Sequence, residues 1–248
     1  MLIPYLRKLT GSERSDKANT HLVRFLAFIA GAVNAGGFLA VHQYTSHMSG
    51  VVSAMADNLA LGRLPLVIAG LAALSSFFAG AASTAFLARW ARRRHLESQL
   101  AMPLLVEALL LTIFGVTGHV FEGHGALGTV TLLCFTMGLQ NAIVTNVAGT
   151  VVRTTHLTGM VTDLGIKLGR MLYSFASHES AANSVQMVKL RLLSSLVTLF
   201  FLGGVTGAVG YKQVGFLFTL PLAGVLATIA AVPVCDDFRK HCLSQRLP

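Results

Sequence analysis

Six long apolar runs, separated by short stretches that hold nearly all of the charge, decide what this chain can fold into. They are Phe25 to Val41, Leu64 to Ala88, Met102 to Val120, Ala126 to Ala148, Leu192 to Gly210 and Val214 to Val234. Each approaches the roughly 20 residues that an α-helix needs to cross a ~30 Å hydrocarbon core. Inside a bilayer every backbone N–H and C=O must find its partner within the chain, so such runs become helices. With 54% hydrophobic and only 12% charged residues, a 248-residue chain has too little polar surface for an ordinary soluble domain. The sequence therefore predicts an all-α integral membrane protein.

The net charge of +9 does not point to nucleic acid, because the Lys and Arg residues sit in the gaps between apolar runs rather than on one solvated face. They report topology instead. If the segments 45–61 and 154–172, both of intermediate polarity, enter and leave on the same side, six full crossings remain. Seventeen Lys and Arg residues then fall inside and two, Arg63 and Lys212, outside. If both segments cross fully, eight spans result and the count falls to 13 against 6. The positive-inside bias selects six crossings with both termini cytoplasmic. Three crossings per half invert the second half relative to the first. The expected fold is thus a 3+3 inverted repeat of six full transmembrane helices with two interrupted or re-entrant segments; the eight-span alternative gives parallel repeats. The expected division is a basic arm at 1–24, a first membrane repeat at 25–120, a second at 121–235 and a cytoplasmic tail at 236–248.

The two polar segments open on a repeated hexapeptide, Thr45-Ser46-His47-Met48-Ser49-Gly50 and Thr154-Thr155-His156-Leu157-Thr158-Gly159. A second echo, Gly31-Ala32-Val33-Asn34-Ala35 and Gly138-Leu139-Gln140-Asn141-Ala142, lies on the preceding helices. Ser49 and Gly50, with Thr158 and Gly159, are expected to open two helical pieces, the hydroxyls as caps and the glycines for a tight reversal. Helix starts hold free N–H groups and about half a positive charge, which suits an anion, and His47 and His156 add donors or a titrating proton. The blander reading is capping alone, with Asn34 and Asn141 bridging the interrupted backbone. Glu107, about five residues into the third run, is the proton-coupling candidate, since ionisable residues at that depth face an interior or a wet cavity. Asp163 is expected to pair with Lys167 at i, i+4.

His42 with His47, and His119 with Glu122 and His124, could be drawn as metal sites, but His-x4-His is not the helical i, i+4 spacing, so no metal is expected. No cofactor motif, Walker loop or Gly-x-Ser-x-Gly elbow is present, and no nucleophile can be paired with a base, so an enzyme is not expected. Cys134, Cys235 and Cys242 fit neither a disulfide framework nor a zinc set. Small residues at spacing four (Ala72, Ser76, Gly80, Thr84) and the pair Gly203 and Gly207 predict close helix packing, within one subunit or in a homodimer. Pro221 is expected to kink its helix.

Four ordered motifs carry a family resemblance: Gly31 to Phe38, Ser46 to Gly50, Gly138 to Ala142 and Val152 to Gly159. Together they resemble the bacterial YoaK-like family of multi-spanning membrane proteins, over about Leu22 to Val234. The resemblance implies an inner-membrane protein of around six helices and carries over no activity or ligand. The chain departs from the family at Asn34, where Asp is more usual, and at Val51, where Asn is. Two functions follow as expectations. One is a secondary transporter or channel-like permease for a small anionic solute, bound by Asn34, Ser46, His47, Ser49, Gly50 and by Asn141, Thr155, His156, Thr158, Gly159 near the bilayer midplane. The alternative is a non-transporting membrane protein that binds a lipid or protein partner and uses the signatures for helix packing.

Overall fold

The computed structural model describes residues 2–11, 15–96, 98–118, 126–148, 155–176 and 184–244, and among these every regular element is a helix. In chain order they are α1 (Leu2–Thr10), α2 (Asp16–Val41), α3 (Met48–Ala60), α4 (Leu64–Arg93), α5 (Ala101–Thr117), α6 (Ala126–Ala148), α7 (Leu157–Ala176), α8 (Ser184–Val214) and α9 (Thr219–Ser244). A 3-10 turn, Gly215–Phe218, joins the last two. Four helical stretches are long and apolar enough to cross a membrane: Asp16–Leu39, Leu64–Arg93, Leu127–Ala148 and Met187–Arg239. The shorter Ala101–Thr117 is apolar too. The chain is a multi-pass membrane protein by the length and composition of these helices.

Several expected boundaries move for identifiable reasons. Helix α2 starts at Asp16, not Phe25, because the Ser15 side chain accepts from Ala18 N and Asp16 stands in the positive first turn. The expected arm is therefore largely helical, and α1 packs on α9 and α2 with Leu6 and Leu9 buried. Thr10 Oγ1 donates to Ile229 O at 3.1 Å, and Arg7 Nε meets Asp236 Oδ2 at 2.6 Å. The span expected from Val214 to Val234 is divided: α8 runs to Val214, Gly215 takes φ +64, and α9 begins at Thr219. Pro221 lies in the first turn of α9, where its missing N–H leaves no bond unmade; the proline inside that helix is Pro233.

Large side chains from α2, α5, α6, α8 and α9, among them Leu26, Leu104, Phe114, Met137, Leu196 and Leu226, form one core. Two-thirds of the apolar windows of α2 and α6 is buried, against 11% for α4, so α2 and α6 are central and α4 turns most of its apolar surface outward. The main pairings are α2 with α8, α4 with α6 and α5 with α9, while α3 rests on α4 and α7 on α8.

Glycines set the two large crossings. A Cβ on Gly31 of α2 would collide with Phe200 O of α8, and one on Gly203 of α8 with Phe28 O of α2. A Cβ on Gly138 of α6 would collide with Phe77 O of α4, and one on Gly80 of α4 with Phe135 O of α6. Gly31 and Phe28 stand 107 residues before Gly138 and Phe135 (138 − 31, 135 − 28), while Gly80 and Phe77 stand 123 before Gly203 and Phe200 (203 − 80, 200 − 77). Both crossings are thus closed by corresponding residues. The small-residue stripe and the glycine pair work within one chain: Thr84 Oγ1 donates to Leu139 O at 3.0 Å, and Gly207 abuts Ala32.

Candidate functional site

Each signature segment is tied to the helix before it by the same bond. Asn34 in α2 presents Oδ1 to Ser46, whose hydroxyl donates at 2.8 Å. Asn141 in α6 presents Oδ1 to Thr155, whose hydroxyl likewise donates at 2.8 Å, with the Thr155 backbone N–H reaching the same oxygen at 3.4 Å. Asn141 Nδ2 donates to Met137 O at 2.9 Å, so this amide keeps both ends partnered. The asparagines therefore tie Ser46 to α2 and Thr155 to α6, as an amide in an apolar span must find partners. Ser46 and Asn141 are buried. Thr154 and Arg153 lie outside the described residues, as do His119, Glu122 and His124.

The expected capping geometry is different in detail. The residue before the first turn of α3 is His47, with no side-chain capping bond, and Ser49 and Gly50 lie inside that turn. Helix α7 begins at Leu157, so Thr158 and Gly159 occupy the matching places. The glycines serve the histidine rings rather than a chain reversal. A Cβ on Gly50 would stand 2.9 Å from His47 Nδ1, and one on Gly159 2.5 Å from His156 Nδ1. Each imidazole thus folds over its own helix start and needs a bare backbone beneath it. His47, Ser49, His156 and Thr158 are exposed.

Both signature segments face one cavity of about 740 Å³. From the first come Ser46, His47, Met48 and Ser49; from the second, Thr155, His156 and Thr158. Asn141 joins them, while Asn34, Gly50 and Gly159 stand behind as ties and spacers. Sequence reasoning missed the remaining walls. Thr145 follows Asn141 by one helical turn and could have been found from that spacing. Phe77, Ala81 and Ala85 of α4 also line it, and being small or apolar they carry no polar signal. Two helix starts, two imidazoles and the hydroxyls of Ser49 and Thr158 bring donors there, while Ser46, Thr155 and Thr145 spend their protons on the asparagines; the remaining donors suit an anion.

Glu107 is not part of this cavity. It is fully buried in α5, and Gln140 of α6 is the polar side chain beside it. Neither carboxyl oxygen, nor Gln140 Oε1, meets a hydrogen-bond partner at good geometry. Gln140 Nε2 reaches Leu26 O only at 3.4 Å. Adjacent residues of a helix point about 100° apart, so Asn141 looks into the cavity while Gln140 looks the other way. At Gln140's counterpart in the first half, 107 residues earlier, stands Val33. The expected Asp163–Lys167 ion pair is not formed. Cys134 is buried beside Val51 and Ala73, and Cys235 is exposed; both are free thiols.

A family model described as protein of unknown function (DUF1275) matches residues 22–232. No curated protein and no solved structure matches the chain.

Proposed function

We propose, for a chain that belongs to the DUF1275 family, a secondary transporter or channel-like permease that binds a small anionic solute between its two signature segments. The observation that carries this reading is the single cavity with His47 and His156 both in its wall. A volume of about 740 Å³ lies within the range of small-molecule sites. The resemblance of four ordered motifs to the YoaK-like proteins supports a bacterial inner membrane, and the charge bias supports cytoplasmic termini.

Six crossings in an inverted repeat complete the proposal. The continuous stretch Met187–Arg239 holds 53 residues. As one straight helix it would run roughly 80 Å, far more than a ~30 Å core, so α8 and α9 are assigned one crossing each. Helix α3, with 13 residues, spans only about 20 Å and is assigned as re-entrant, with α7 as its counterpart. The matched glycine crossings and the exchange of pairings (α2 with α8, α4 with α6) support a two-fold relation between the halves. Glu107 is proposed as the proton-coupling group, a fully buried carboxyl with Gln140 beside it, at whose counterpart in the other half stands Val33.

The test is solute flux into liposomes containing the purified protein, across a panel of small carboxylates and inorganic anions. His47→Ala combined with His156→Ala abolishes the flux of the transported anion, while Ser83→Ala, on a hydroxyl bonded only to Ala79 O of its own helix, leaves it intact. Flux unchanged by the double substitution overturns the site. Absence of flux for every anion, with the asparagine ties still needed for folding, favours the packing role alone.

A further inference from the structure

A second cavity, of about 390 Å³, opens between α6, α7 and α8. Lys167 and Arg170 of α7 and Lys189 of α8 stand around it with one carboxylate, Asp163. None of these four groups forms an ion pair among the described residues. The floor is apolar, with Leu192 and the buried Leu193. Three cations gathered over an apolar floor, outnumbering the local acid, make an anion-selective place rather than a self-neutralised one.

Beside it stand exposed apolar side chains of both helices, Ile166 in its wall and Val188 next to Lys189, while Val161, Leu168 and Leu172 lie on the opposite side of α7. Cationic cavity and exposed apolar side chains thus adjoin where α7 rests on α8, its one main pairing. The counterpart helix α3 has no Lys or Arg from Met48 to Ala60, so the scaffold itself does not require these cations. The charge count places this end of α7 at the cytoplasmic surface, where basic pockets between helices take anionic headgroups.

We propose that this cavity binds the phosphodiester headgroup of an anionic phospholipid, whose acyl chains lie along Ile166 and Val188. The guanidinium of Arg170 offers a two-pronged contact to phosphate and the two lysines supply point charges. Asp163 at the rim restrains the net charge and favours a singly charged phosphodiester over a more highly charged phosphate. The site lies apart from the cavity between the signature segments and does not depend on what that cavity transports.

The experiment titrates the full-length protein, in detergent micelles, with phosphatidylglycerol, phosphatidylcholine or inorganic phosphate, and reads bound lipid by native mass spectrometry. Phosphatidylglycerol binds at least about tenfold more tightly than phosphatidylcholine, and the combined Lys167→Gln, Arg170→Gln, Lys189→Gln variant loses about a hundredfold of that affinity, the product of roughly fivefold per cation. Lys189→Gln alone, on an exposed side chain, loses about fivefold and keeps the test readable if the triple variant does not fold. Substituting Arg89, Arg92, Arg93 and Arg94 by Gln leaves phosphatidylglycerol binding in place. Equal binding of the two lipids, retention in the triple variant, equal loss in the Arg89 to Arg94 variant, or displacement of the lipid by an equal concentration of inorganic phosphate overturns the proposal.

Discussion

Replacing Gly138 by alanine tests the crossing that holds α4 against α6, and with it the wall of the signature cavity. The added Cβ would collide with the carbonyl oxygen of Phe77, a backbone atom that cannot rotate aside, so the two helices must part by more than an ångström at their closest point. Overpacking of this kind costs about 1–3 kcal/mol, with the rigid neighbour setting the upper part of that range. The better helix propensity of alanine returns about 0.8–1 kcal/mol. A net loss of about 1–2 kcal/mol follows, or a Tm lower by roughly 3–6 °C for a domain of this size.

Gly169, inside α7, is the control: nothing lies within 4 Å of its Cβ position, so Gly169→Ala gains about 0.8–1 kcal/mol and raises Tm by roughly 2–4 °C. Thermal unfolding in detergent, followed by the fluorescence of the single tryptophan, Trp90, reads both. The matched contact of Gly31 with Phe200 O adds a second demand: Gly31→Ala and Gly138→Ala agree within about 1 kcal/mol, since they load the same geometry in the two halves. A Gly138→Ala protein as stable as Gly169→Ala, or opposite signs for Gly31→Ala and Gly138→Ala, refutes the reasoning.

Three further outcomes follow from the same geometry. A double-mutant cycle on Asn141→Ala and Thr155→Ala, measured by thermal unfolding, yields a coupling of about 0.6–1.7 kcal/mol, the range for interhelical polar pairs in a membrane protein; additive losses would remove the tether. Asn34→Ala costs less than Asn141→Ala, because Asn34 accepts one bond from its signature segment and Asn141 accepts two; the reverse order in the same assay counts against the assignment. Glu107→Leu keeps or raises stability, by up to about 2 kcal/mol, because the buried carboxyl has only Gln140 beside it and no hydrogen bond of good geometry, and it abolishes proton-dependent flux; a strongly destabilised variant would make the carboxyl structural.

Much of the chain was legible beforehand because a bilayer leaves few choices. Apolar runs of this length become helices, and the run expected from Ala126 to Ala148 coincides with α6. The repeated hexapeptide and the repeated Asn marked the residues that the structure joins by the same 2.8 Å bond in each half. Helix ends were less legible where polar flanks stay helical, as when Ser15 caps α2 ten residues before its apolar run begins. Glu107 and Asn141 could be flagged as polar residues in apolar surroundings. That Gln140 turns toward the first and Asn141 toward the cavity depends on the rotation of α6, which packing against α2, α4 and α5 sets.

The sequence by itself determined the solvent, the helices and the duplication, since each follows from local composition or from direct comparison of one stretch with another. Only the tertiary structure decided that His47 and His156 face one cavity, that Gly50 and Gly159 make room for imidazole rings, and that Phe77, Ala81 and Ala85 supply its remaining wall. The physical reason is range: a helix is specified by neighbours three or four residues away, whereas a cavity is specified by which faces of distant helices meet, and that was settled here by glycines whose missing side chains let α4 reach α6 and α2 reach α8.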